Sequence, residues 1–491
     1  MSKNIKAIIG STLASLLLVA CGKLPAMDQE EANAIKENIA IVTDDENKIY
    51  GNIRLPSEVD GASIKWKSSN NKVVSVKDKD DLKAGVVTRP EEDTEVKLTA
   101  TIVKDGKEAS YEQTITVAAA PKAIAEEDYV GYLFCHFTGQ EGDKKHEQIY
   151  FALADEGRGL RFTDMNKAAS TSDLNPVLTS NVGDKGVRDP FIYRSPEGDT
   201  FRIIATDLSV KNRGGWTTNH NYTKKGSHSI TMWESHDLYN WSEARLLEVA
   251  APDAGMAWAP EMIYHEETGQ YVIFFSSTIC NEDKTDIIYR DCIYYTTTRD
   301  FVHFSETRKF IKNQPYPAGQ TDPQTNAPNA LNNDERKIID ASLIKIGDWY
   351  YCAAKDGDNH EDGGILVQRT KDIFNIESWE KMYELADLGL SARVALNNKQ
   401  LEGPEWFHYN IADRSNPEVD EIGLMADMYM NGQGYLPLST TDLEDRTNAN
   451  NSWKVLGNSE YSWSGLTKRH GSIMRLTHDE IEAIKTNYPN N

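Results

Sequence analysis

The sequence LEGPEWF, residues 401–407, places an acidic residue directly before a short apolar strand. Four other stretches open in the same way, with polar or acidic residues before an apolar run: VRDPFIY at 187–193, AWAPEMIY at 257–264, IDASLI at 339–344 and RHGS at 469–472. Most of the units that follow close near an Asp-aromatic or Asp-Leu pair, such as Asp300-Phe301. Five strand-rich units that repeat about every 60 residues predict a β-propeller.

The two ends of this repeated region are predicted to share one sheet. Strand-like segments at 132–134 and 148–152 precede the first unit, and the block at 472–476 follows the last opening. Joining them in one blade would close the ring and remove two free sheet edges. The innermost strand of each propeller blade lines a central channel, so residues at the same end of these strands converge. Three carboxylates, Asp189, Asp340 and Glu402, should therefore meet at one mouth of the channel.

A cluster of this composition suits the cleavage of a glycosidic bond. One protonated carboxylic acid donates to the leaving oxygen, and one carboxylate activates water or attacks carbon. A third carboxylate nearby raises the pKa of the acid by like-charge repulsion and so keeps the acid protonated near neutral pH. The alternative is structural, because an Asp before a Pro can open a strand and Asp340 could cap a turn.

The same motifs, in this order, resemble those of glycoside hydrolase family 43, whose fold is a five-bladed β-propeller. The resemblance runs from about Asp128 to the C-terminus and implies a catalytic domain over 126–491. Carried onto matching positions, it implies that Asp189 is the general base, that Asp340 orients the acid and tunes its pKa, and that Glu402 is the general acid. It also implies inversion of configuration, for which base and acid carboxyls stand about 6.5–9.5 Å apart. A departure is Glu261, because the family's second motif usually ends in Asp.

Side chains that adjoin the motifs are expected to contact the sugar. These are Arg188, Trp258, Trp406 and Arg469. Tryptophan rings stack on sugar faces, but packing between blades is the alternative for both tryptophans. Trp216 and His220 lie in a polar segment of the first unit, which we expect to form a loop near the mouth.

His470 matches a channel histidine that, in several members of the family, helps to hold a calcium ion with waters. A single histidine without protein carboxylates makes a poor calcium site, so the alternative is a hydrogen-bonded channel histidine. We expect the chemistry itself to need no cofactor, with a structural calcium ion as the only metal to consider.

The region from 39 to 119 has short β-like runs separated by turn signals, which predict a small β-sandwich. One example is the strictly alternating run at 96–102. The stretches IKWKSSNNKVVSV, GVVTRP and VKLTATIV resemble the reduced bacterial immunoglobulin-like domains found on surface enzymes. Such a domain implies a spacer that holds the propeller off a membrane, with sugar binding as the alternative. Residues 21–38 are polar and are predicted to form a tether.

The first 20 residues are predicted to be a signal peptide. Lys3 and Lys6 precede an apolar run from 7 to 20, which is too short to span a bilayer comfortably. The run ends in Leu18-Val19-Ala20-Cys21, which resembles a bacterial lipobox and implies lipidation of Cys21. An exported lipoprotein at the cell surface or outer membrane is therefore expected, against the alternative of a plain signal peptide or a short anchor. No disulfide is assigned, because buried free thiols are equally consistent with the other four cysteines.

Composition limits the partners that this chain can bind. The 491 residues carry a formal net charge of −23, which argues against nucleic acid because phosphates would be repelled. A neutral oligosaccharide or polysaccharide is compatible with this charge. The sequence thus predicts an all-β protein, a five-bladed propeller behind an immunoglobulin-like sandwich. The resemblance to glycoside hydrolase family 43 implies that it cleaves arabinofuranosyl or xylosyl linkages of plant polysaccharide. The rival hypotheses are a non-catalytic glycan-binding propeller and a propeller hydrolase acting on galactan or fructan.

Overall fold

The computed structural model describes ten stretches of the chain: residues 24–44, 46–139, 142–167, 175–216, 221–311, 337–356, 364–385, 401–429, 434–445 and 452–490. The predicted signal peptide, Cys21 and His220 lie outside these residues. Within them, no helix combines the length and the apolar character that crossing a bilayer requires. The described elements are mostly strands, as the sequence predicts.

The N-terminal domain is one five-stranded sheet with a single covered face. Its strands are β1 (Lys48–Ile49), β2 (Glu58–Val59), β3 (Ala62–Ser68), β4 (Thr94–Lys104) and β5 (Lys107–Val117). They lie in the order β1-β5-β4-β3-β2, with β1 parallel to β5 and the other pairs antiparallel. Alternate residues of β4 are buried, as the strict alternation predicts.

The second layer of this domain consists of a helix and three extended segments instead of a full second sheet. The segments at 41–47, 50–55 and 73–88 cover one half of the sheet, and helix α1 (Gln29–Ile39) covers the other. The prediction of a tether over 21–38 is therefore wrong for its second half. The physical reason is the spacing of Ala32, Ile35 and Ile39, which places three buried apolar side chains on one face of the helix.

The propeller begins with strands that join the last blade. These are β6 (Tyr129–Phe137), β7 (Tyr150–Ala154), β8 (Leu160–Arg161) and β9 (Thr163–Asp164). Four antiparallel four-stranded sheets then follow in chain order, and we name them blades 1 to 4. Blades 1 and 2 contain β10 (Val187–Arg194), β11 (Phe201–Asp207), β12 (Ser229–Ser235), β13 (Arg245–Glu248), β14 (Trp258–His265), β15 (Gln270–Cys280), β16 (Ile287–Thr298) and β17 (Arg308–Ile311).

Blades 3 and 4 repeat the same order of strands. They contain β18 (Ile338–Ile346), β19 (Trp349–Asp356), β20 (Ile365–Thr370), β21 (Glu380–Glu384), β22 (Glu402–His408), β23 (Ile422–Asp427), β24 (Tyr435–Thr440) and β25 (Trp453–Val455). The chain ends with β26 (Tyr461–Ser462), β27 (Arg469–Thr477) and helix α2 (His478–Asn487). Short 3₁₀ helices in the described residues lie at Glu126–Asp128, Lys144–His146, Ile376–Ser378 and Ile411–Asp413.

The last strand closes the ring, as the sequence predicts. Strand β27 pairs with β6 in the sheet β27-β6-β7-β9, which is blade 5. The innermost strands β10, β14, β18, β22 and β27 contact one another in sequence, and β27 also contacts β10. Apolar clusters of described residues fill the interfaces between neighbouring blades. The closed ring brings the beginnings of all five inner strands to one mouth of the channel.

The N-terminal domain is attached to the propeller by buried polar contacts. The guanidinium of Arg89 donates to both carboxylate oxygens of Asp199 at 2.8 and 2.7 Å. Arg299 of the propeller donates to the carbonyl oxygens of Ile53 and Ala84 at 3.1 and 2.7 Å. Asp199 lies in the turn between β10 and β11, which is the end of blade 1 away from the inner-strand openings. The immunoglobulin-like domain is thus docked on the face remote from the carboxylates.

Candidate active site

Each inner strand of blades 1 to 4 opens with a β-bulge. The pairing register shifts between Arg188 and Phe191 in blade 1, and at the matching place in the other three blades. The bulged residue has a positive φ in each case: Asp189 at 51°, Ala259 at 45°, Asp340 at 53° and Gly403 at 51°. Bulges re-aim side chains, and Asp tolerates this left-handed region better than most residues do.

The bulges place Asp189 and Asp340 at matching positions, and the opening of β27 places His470 there in blade 5. Glu402 stands one residue earlier in its strand, and Arg469 takes the same place in β27. The structure therefore gathers the three predicted carboxylates with His470 and Arg469 at one mouth. Both Asp189 and Glu402 are mostly buried but keep 17% and 18% of their side-chain surface exposed, so a ligand can reach them.

Position 403 requires glycine for two reasons, its backbone conformation and the closeness of His470. Its φ of 51° lies in the left-handed region, and a Cβ there would stand 2.5 Å from the ring of His470. The Gly of the LEGP motif thus lets the backbone after Glu402 approach His470 closely.

Asp189 is held as a carboxylate by its partners. Its Oδ1 lies 3.2 Å from Nδ1 of His470, and its Oδ2 accepts a hydrogen bond from Thr206 Oγ1 at 2.9 Å. Burial alone would raise the pKa of Asp189, but the charges of His470 and Arg188 outweigh it and lower that pKa. Burial opposes the charge on His470 too, yet Asp189 and the other carboxylates raise the pKa of His470 to about 9. Near neutral pH the pair is thus ionic.

Glu402 lies between two cationic side chains. Its Oε2 accepts a hydrogen bond from Lys355 Nζ at 2.8 Å, and its Oε1 accepts one from Arg469 Nη2 at 2.8 Å. Burial would raise the pKa of Glu402, but Lys355 and Arg469 lower it overall. The expectation that a neighbouring carboxylate keeps Glu402 protonated is therefore wrong for this ligand-free arrangement, because the two cations outweigh the like-charge repulsion.

Asp340 is the member of the three whose pKa is raised. Burial is the main cause, and the neighbouring charges of Glu402 and Asp189 add to it, while His470 and Lys355 oppose it. Its Oδ2 accepts a hydrogen bond of 3.4 Å from the backbone N–H of Gly403, the residue after Glu402. Of the three predicted carboxyl groups, Asp340 is therefore the one best placed to carry a proton.

Sequence reasoning missed the charged residues on the second strands. Lys355 of β19 pairs across the ladder with Ile339, and Asp427 of β23 pairs with Glu402. Asp427 accepts a hydrogen bond of 2.6 Å from Arg469 Nε, and burial, together with Glu402, raises its pKa to about 6. The available signal was a charged residue at the end of an otherwise apolar strand, directly opposite an opening motif.

Two further carboxyl groups lie below the three predicted ones. Each stands two positions after the bulged residue of its inner strand. Glu261 and Glu405 are both buried, with 6% and 3% of their surface exposed. Ser342 Oγ donates to Glu405 Oε2 at 3.4 Å. Burial raises the pKa of Glu405 to about 8. Burial, together with the charge of Glu405, raises the pKa of Glu261 well above its ordinary value.

The four predicted sugar contacts fall into different places. Arg469 lies in the site, and Trp258 is partly exposed beside it. Arg188 is 6% exposed and forms an ion pair of 2.8 Å with Glu147. Trp406 is 5% exposed and belongs to the apolar cluster between blades 3 and 4, so the prediction that it contacts sugar is wrong. After the bulge, the alternation of β22 turns Glu405 inward and Trp406 toward the blade interface.

The residues around His470 do not fit a calcium ion. Calcium prefers six to eight oxygen ligands, whereas Nδ1 of His470 faces Asp189 and the nearby Glu402 is bonded to two cations. In the described part of the chain, no group of three or more His, Cys, Asp or Glu side chains is arranged to hold a metal. We therefore derive no step through a metal.

A closed five-bladed propeller that presents three carboxylates at one mouth of its channel has the architecture of a propeller-type glycoside hydrolase. The family described as "Probable glycosyl hydrolase domain", which is related to glycoside hydrolase family 43, matches residues 127–482. The chain belongs to this family. Residues 31–120 match the family described as "Atrophied bacterial Ig domain", a range that includes most of helix α1.

Several proteins that are similar to this chain are named as arabinofuranosidases, arabinanases or galactanases. An alpha-L-arabinofuranosidase of Bifidobacterium longum subsp. longum is 29% identical over 345 residues, which cover 64% of this chain and 29% of that longer protein. The alpha-L-arabinanase of Cellvibrio cellulosa, solved with arabinohexaose, aligns with a TM-score of 0.40 and 13% identity, over 70% of this chain and 99% of that one. An exo-beta-1,3-galactanase of Clostridium thermocellum aligns with a TM-score of 0.36 and 16% identity, over 59% and 50%.

Proposed function

We propose that this protein is an inverting exo-glycosidase that releases α-L-arabinofuranosyl or β-D-xylosyl residues from plant polysaccharide. The observation that carries the proposal is the meeting of Asp189, Asp340 and Glu402 at one mouth of the channel, in three different electrostatic settings. The choice of sugar is supported by the name of the Bifidobacterium relative and by the motif resemblance.

In this proposal Asp189 is the general base. A base must be ionised when substrate arrives, and the positive charge of His470 keeps the pKa of Asp189 low. Its Oδ2 is oriented by the hydroxyl of Thr206. Water held by Asp189 loses a proton to the carboxylate as it attacks the anomeric carbon, and the glycosidic bond breaks on the opposite face of the sugar.

Glu402 is the general acid, and its proton must be acquired when substrate binds. Lys355 and Arg469 hold it ionised in the free site. Sugar hydroxyls that accept hydrogen bonds from these two cations would weaken their hold on Glu402 and raise its pKa. Asp340, whose own pKa is raised, stands beside the backbone of Glu402 as the adjacent group that can hold a proton. The protonated Glu402 then donates to the leaving oxygen.

The dependence on the leaving group tests the acid. Glu402→Ala should lower kcat/KM by about 10²–10⁴-fold on natural linkages but far less on activated aryl glycosides, whose leaving groups need no proton. Equal losses on both would contradict the role of Glu402. Glu112→Ala, on the exposed surface of the N-terminal domain, is the matched control and should leave both rates unchanged.

The stereochemistry and the sugar are tested together. Hydrolysis of aryl arabinofuranoside, xyloside and galactoside, followed by proton NMR of the first-formed anomer, should show arabinose or xylose released with inverted configuration. A retained anomer would contradict the mechanism, and activity on the galactoside alone would favour a galactan-active enzyme. Binding of oligosaccharide without turnover of any glycoside would favour a non-catalytic glycan-binding propeller.

We further propose that no metal takes part in the chemistry. The proposal is supported by the ionic pairing of His470 with Asp189, because proton transfer between carboxyl groups and water completes the reaction. Activity after exhaustive dialysis against a chelator should stay within about twofold of the untreated enzyme. A large loss that added calcium restores would contradict this.

We also propose that Cys21 is lipidated and that the protein is anchored at the cell surface or outer membrane. The proposal rests on the apolar run before Cys21 and on the small residue at position 20. In a bacterial host, Cys21→Ser should abolish incorporation of labelled fatty acid and move the protein from the membrane fraction to the soluble fraction. Unchanged membrane association would contradict the anchor.

A further inference from the structure

Asp427 shares one arginine with the proposed acid. It ends strand β23 and pairs with Glu402 across the ladder of blade 4. The Nε of Arg469 donates to Asp427 Oδ2 at 2.6 Å, and Nη2 of the same guanidinium donates to Glu402 Oε1 at 2.8 Å. Two carboxylates thus bind one cation, and the positive charge that faces Glu402 is partly balanced by Asp427.

Arg469 is held in place by packing as well as by its two ion pairs. A Cβ at Gly139 would clash with Cγ of Arg469, so the backbone there lies directly against the stem of this side chain. The guanidinium carbon lies 5.9 Å from the ring centroid of Phe137. The arginine is therefore fixed at a place where both carboxylates reach it.

The carboxylate of Asp427 depends on Arg469 for its compensation. Its side chain is fully buried, and apart from Arg469 its Oδ2 accepts only a longer hydrogen bond of 3.4 Å from the backbone N–H of His470. Its Oδ1 has no hydrogen-bond partner among the described residues. A buried carboxylate is costly unless a cation compensates it. Burial raises the pKa of Asp427 to about 6 and Glu402 adds to this, while Arg469 opposes it, so Asp427 is mostly ionised near neutral pH.

The charges around Glu402 decide whether it holds a proton. Among the described residues, the titratable groups that act on it include two carboxyls, three cations and one phenol: Asp340 of β18, Asp427 of β23, Lys355 of β19, Arg469 and His470 of β27, and Tyr429 after β23. Burial raises the pKa of Tyr429, so this phenol is neutral near neutral pH. The cations favour the ionised form of Glu402, and the like charges of the carboxyls oppose it. Of these two carboxyls, Asp427 is the one bonded to a cation that also binds Glu402.

We propose that Asp427 is a positioning residue for the acid: its carboxylate balances the charge of Arg469, so that Glu402 can take up the proton that the leaving oxygen needs. The inference rests on the proposed hydrolytic function of the site and deepens it. When sugar hydroxyls accept hydrogen bonds from Lys355, Arg469 still faces Glu402. The negative charge of Asp427 then limits how strongly Arg469 favours the ionised form of Glu402.

The variant Asp427→Asn tests the charge, because asparagine keeps the shape of the side chain and an oxygen that accepts from Arg469 and His470. In the enzyme–substrate complex the pKa of Glu402 should fall, so the alkaline limb of kcat should move to lower pH by about one unit. Above that limb, kcat on a natural linkage should be about tenfold lower, because fewer molecules carry the proton. The value for an activated aryl glycoside, whose leaving group needs no proton, should change less than about twofold.

The matched control is Asp199→Asn. This carboxylate also binds an arginine, Arg89, but it lies on the face remote from the site, so the variant should change neither the rates nor the limb. An alkaline limb of Asp427→Asn that stays in place, or moves to higher pH, would make Asp427 a support for the shape of Arg469 alone and overturn the proposal. Equal losses on the natural linkage and the aryl glycoside would also overturn it.

A second measurement needs neither turnover nor a folded Asp427→Asn. Carbon-13 NMR of protein labelled at the aspartate carboxyls follows the titration of Asp427 in wild type and in Glu402→Gln. If the two carboxylates share Arg469, removing the charge of Glu402 should lower the pKa of Asp427 by about one unit, whereas Glu112→Gln on the exposed surface should not change it. A wild-type protein without activity on any glycoside would contradict the proposed function, and this coupling would then decide the inference. An unchanged pKa of Asp427 in Glu402→Gln would overturn it.

Discussion

The carboxylate of Asp189 and the imidazole of His470 form an ion pair of 3.2 Å across the seam where the first and last inner strands of the propeller meet. The contact that closes the ring therefore also sets the charge around Asp189. The backbone repeats the connection, since Ile192 N–H donates to Ser472 Oγ at 2.7 Å across the same seam. The last inner strand, β27, thus supplies the positive charge of His470, which lowers the pKa of the proposed base.

The first prediction concerns this pair. His470→Asn should raise the pKa of Asp189, because the largest lowering influence on that carboxylate is removed. The base must be ionised, so the acidic limb of the kcat/KM profile should move to higher pH, by about one unit or more. His478→Asn, on the exposed start of helix α2, is the control and should leave the profile unchanged. An unmoved acidic limb in His470→Asn would contradict the pairing.

The second prediction removes the proposed base itself. Asp189→Ala should lower kcat by about 10²–10⁴-fold while oligosaccharide binding is retained, because the water loses its proton acceptor and the sugar keeps its other contacts. Turnover and equilibrium binding are measured on the same preparation. Should azide restore turnover, the glycosyl azide is expected to have inverted configuration. A rescued product of retained configuration would contradict the role of Asp189 as the base of an inverting reaction, because retention needs a first displacement by another nucleophile of the enzyme.

The repeat allowed the carboxylates to be predicted, because three opening motifs at matching positions can be compared within one sequence. The second strands could not be treated in this way. A charged residue at the end of an apolar strand marks Lys355 as a candidate, but its proximity to Glu402 depends on the ladder register of β19 and on the packing of blade 3 against blade 4, which the sequence does not show. Helix α1 was missed because three buried residues in a polar stretch give a weak amphipathic signal.

The error at Trp406 has a specific cause in the backbone. A regular strand from Glu402 would turn residues 402, 404 and 406 to one side. The bulge between Glu402 and Glu405 shifts this alternation, so that Glu405 lies near Glu261 and Trp406 packs against Trp453. Bulges of this kind recur at the openings of the inner strands, which is where the functional residues lie.

The third prediction concerns the cation beside the proposed acid. Lys355→Met should raise the pKa of Glu402, because Lys355 is the largest influence that lowers it. The acid must be protonated, so the alkaline limb of the pH profile should move to higher pH by about one unit or more. Lys355→Arg keeps the charge and should keep the limb close to its wild-type position. If Lys355→Met left the alkaline limb in place, Glu402 would not be the group that titrates there.

The fourth prediction concerns the buried pair below the site. The pKa of Glu405 is raised to about 8 in the fold, so this group binds more protons in the folded protein than in the unfolded chain between its ordinary pKa and about pH 8. Its contribution to stability is greatest at low pH and is lost as the pH rises through that window. Glu405→Gln removes the titration, so the Tm of the variant should fall less than that of the wild type between pH 5 and 8. Parallel curves in thermal denaturation would contradict this.

The last prediction concerns the docking of the two domains. The side chain of Arg89 is 6% exposed, and it bonds both oxygens of Asp199 as well as the carbonyl oxygen of Ala118 at 3.1 Å. Arg89→Met leaves Asp199 partly buried without its cation, and removing one member of such a pair costs about 3 kcal/mol. Denaturant unfolding should show that loss, whereas Arg158→Met on the exposed surface should show almost none. The double variant with Asp199→Asn should recover part of the loss, because the uncompensated carboxylate is then absent. Equal stability of Arg89→Met and wild type would mean that the ion pair of Arg89 with Asp199 does not stabilise the docking, and that other contacts such as the hydrogen bonds from Arg299 hold the immunoglobulin-like domain.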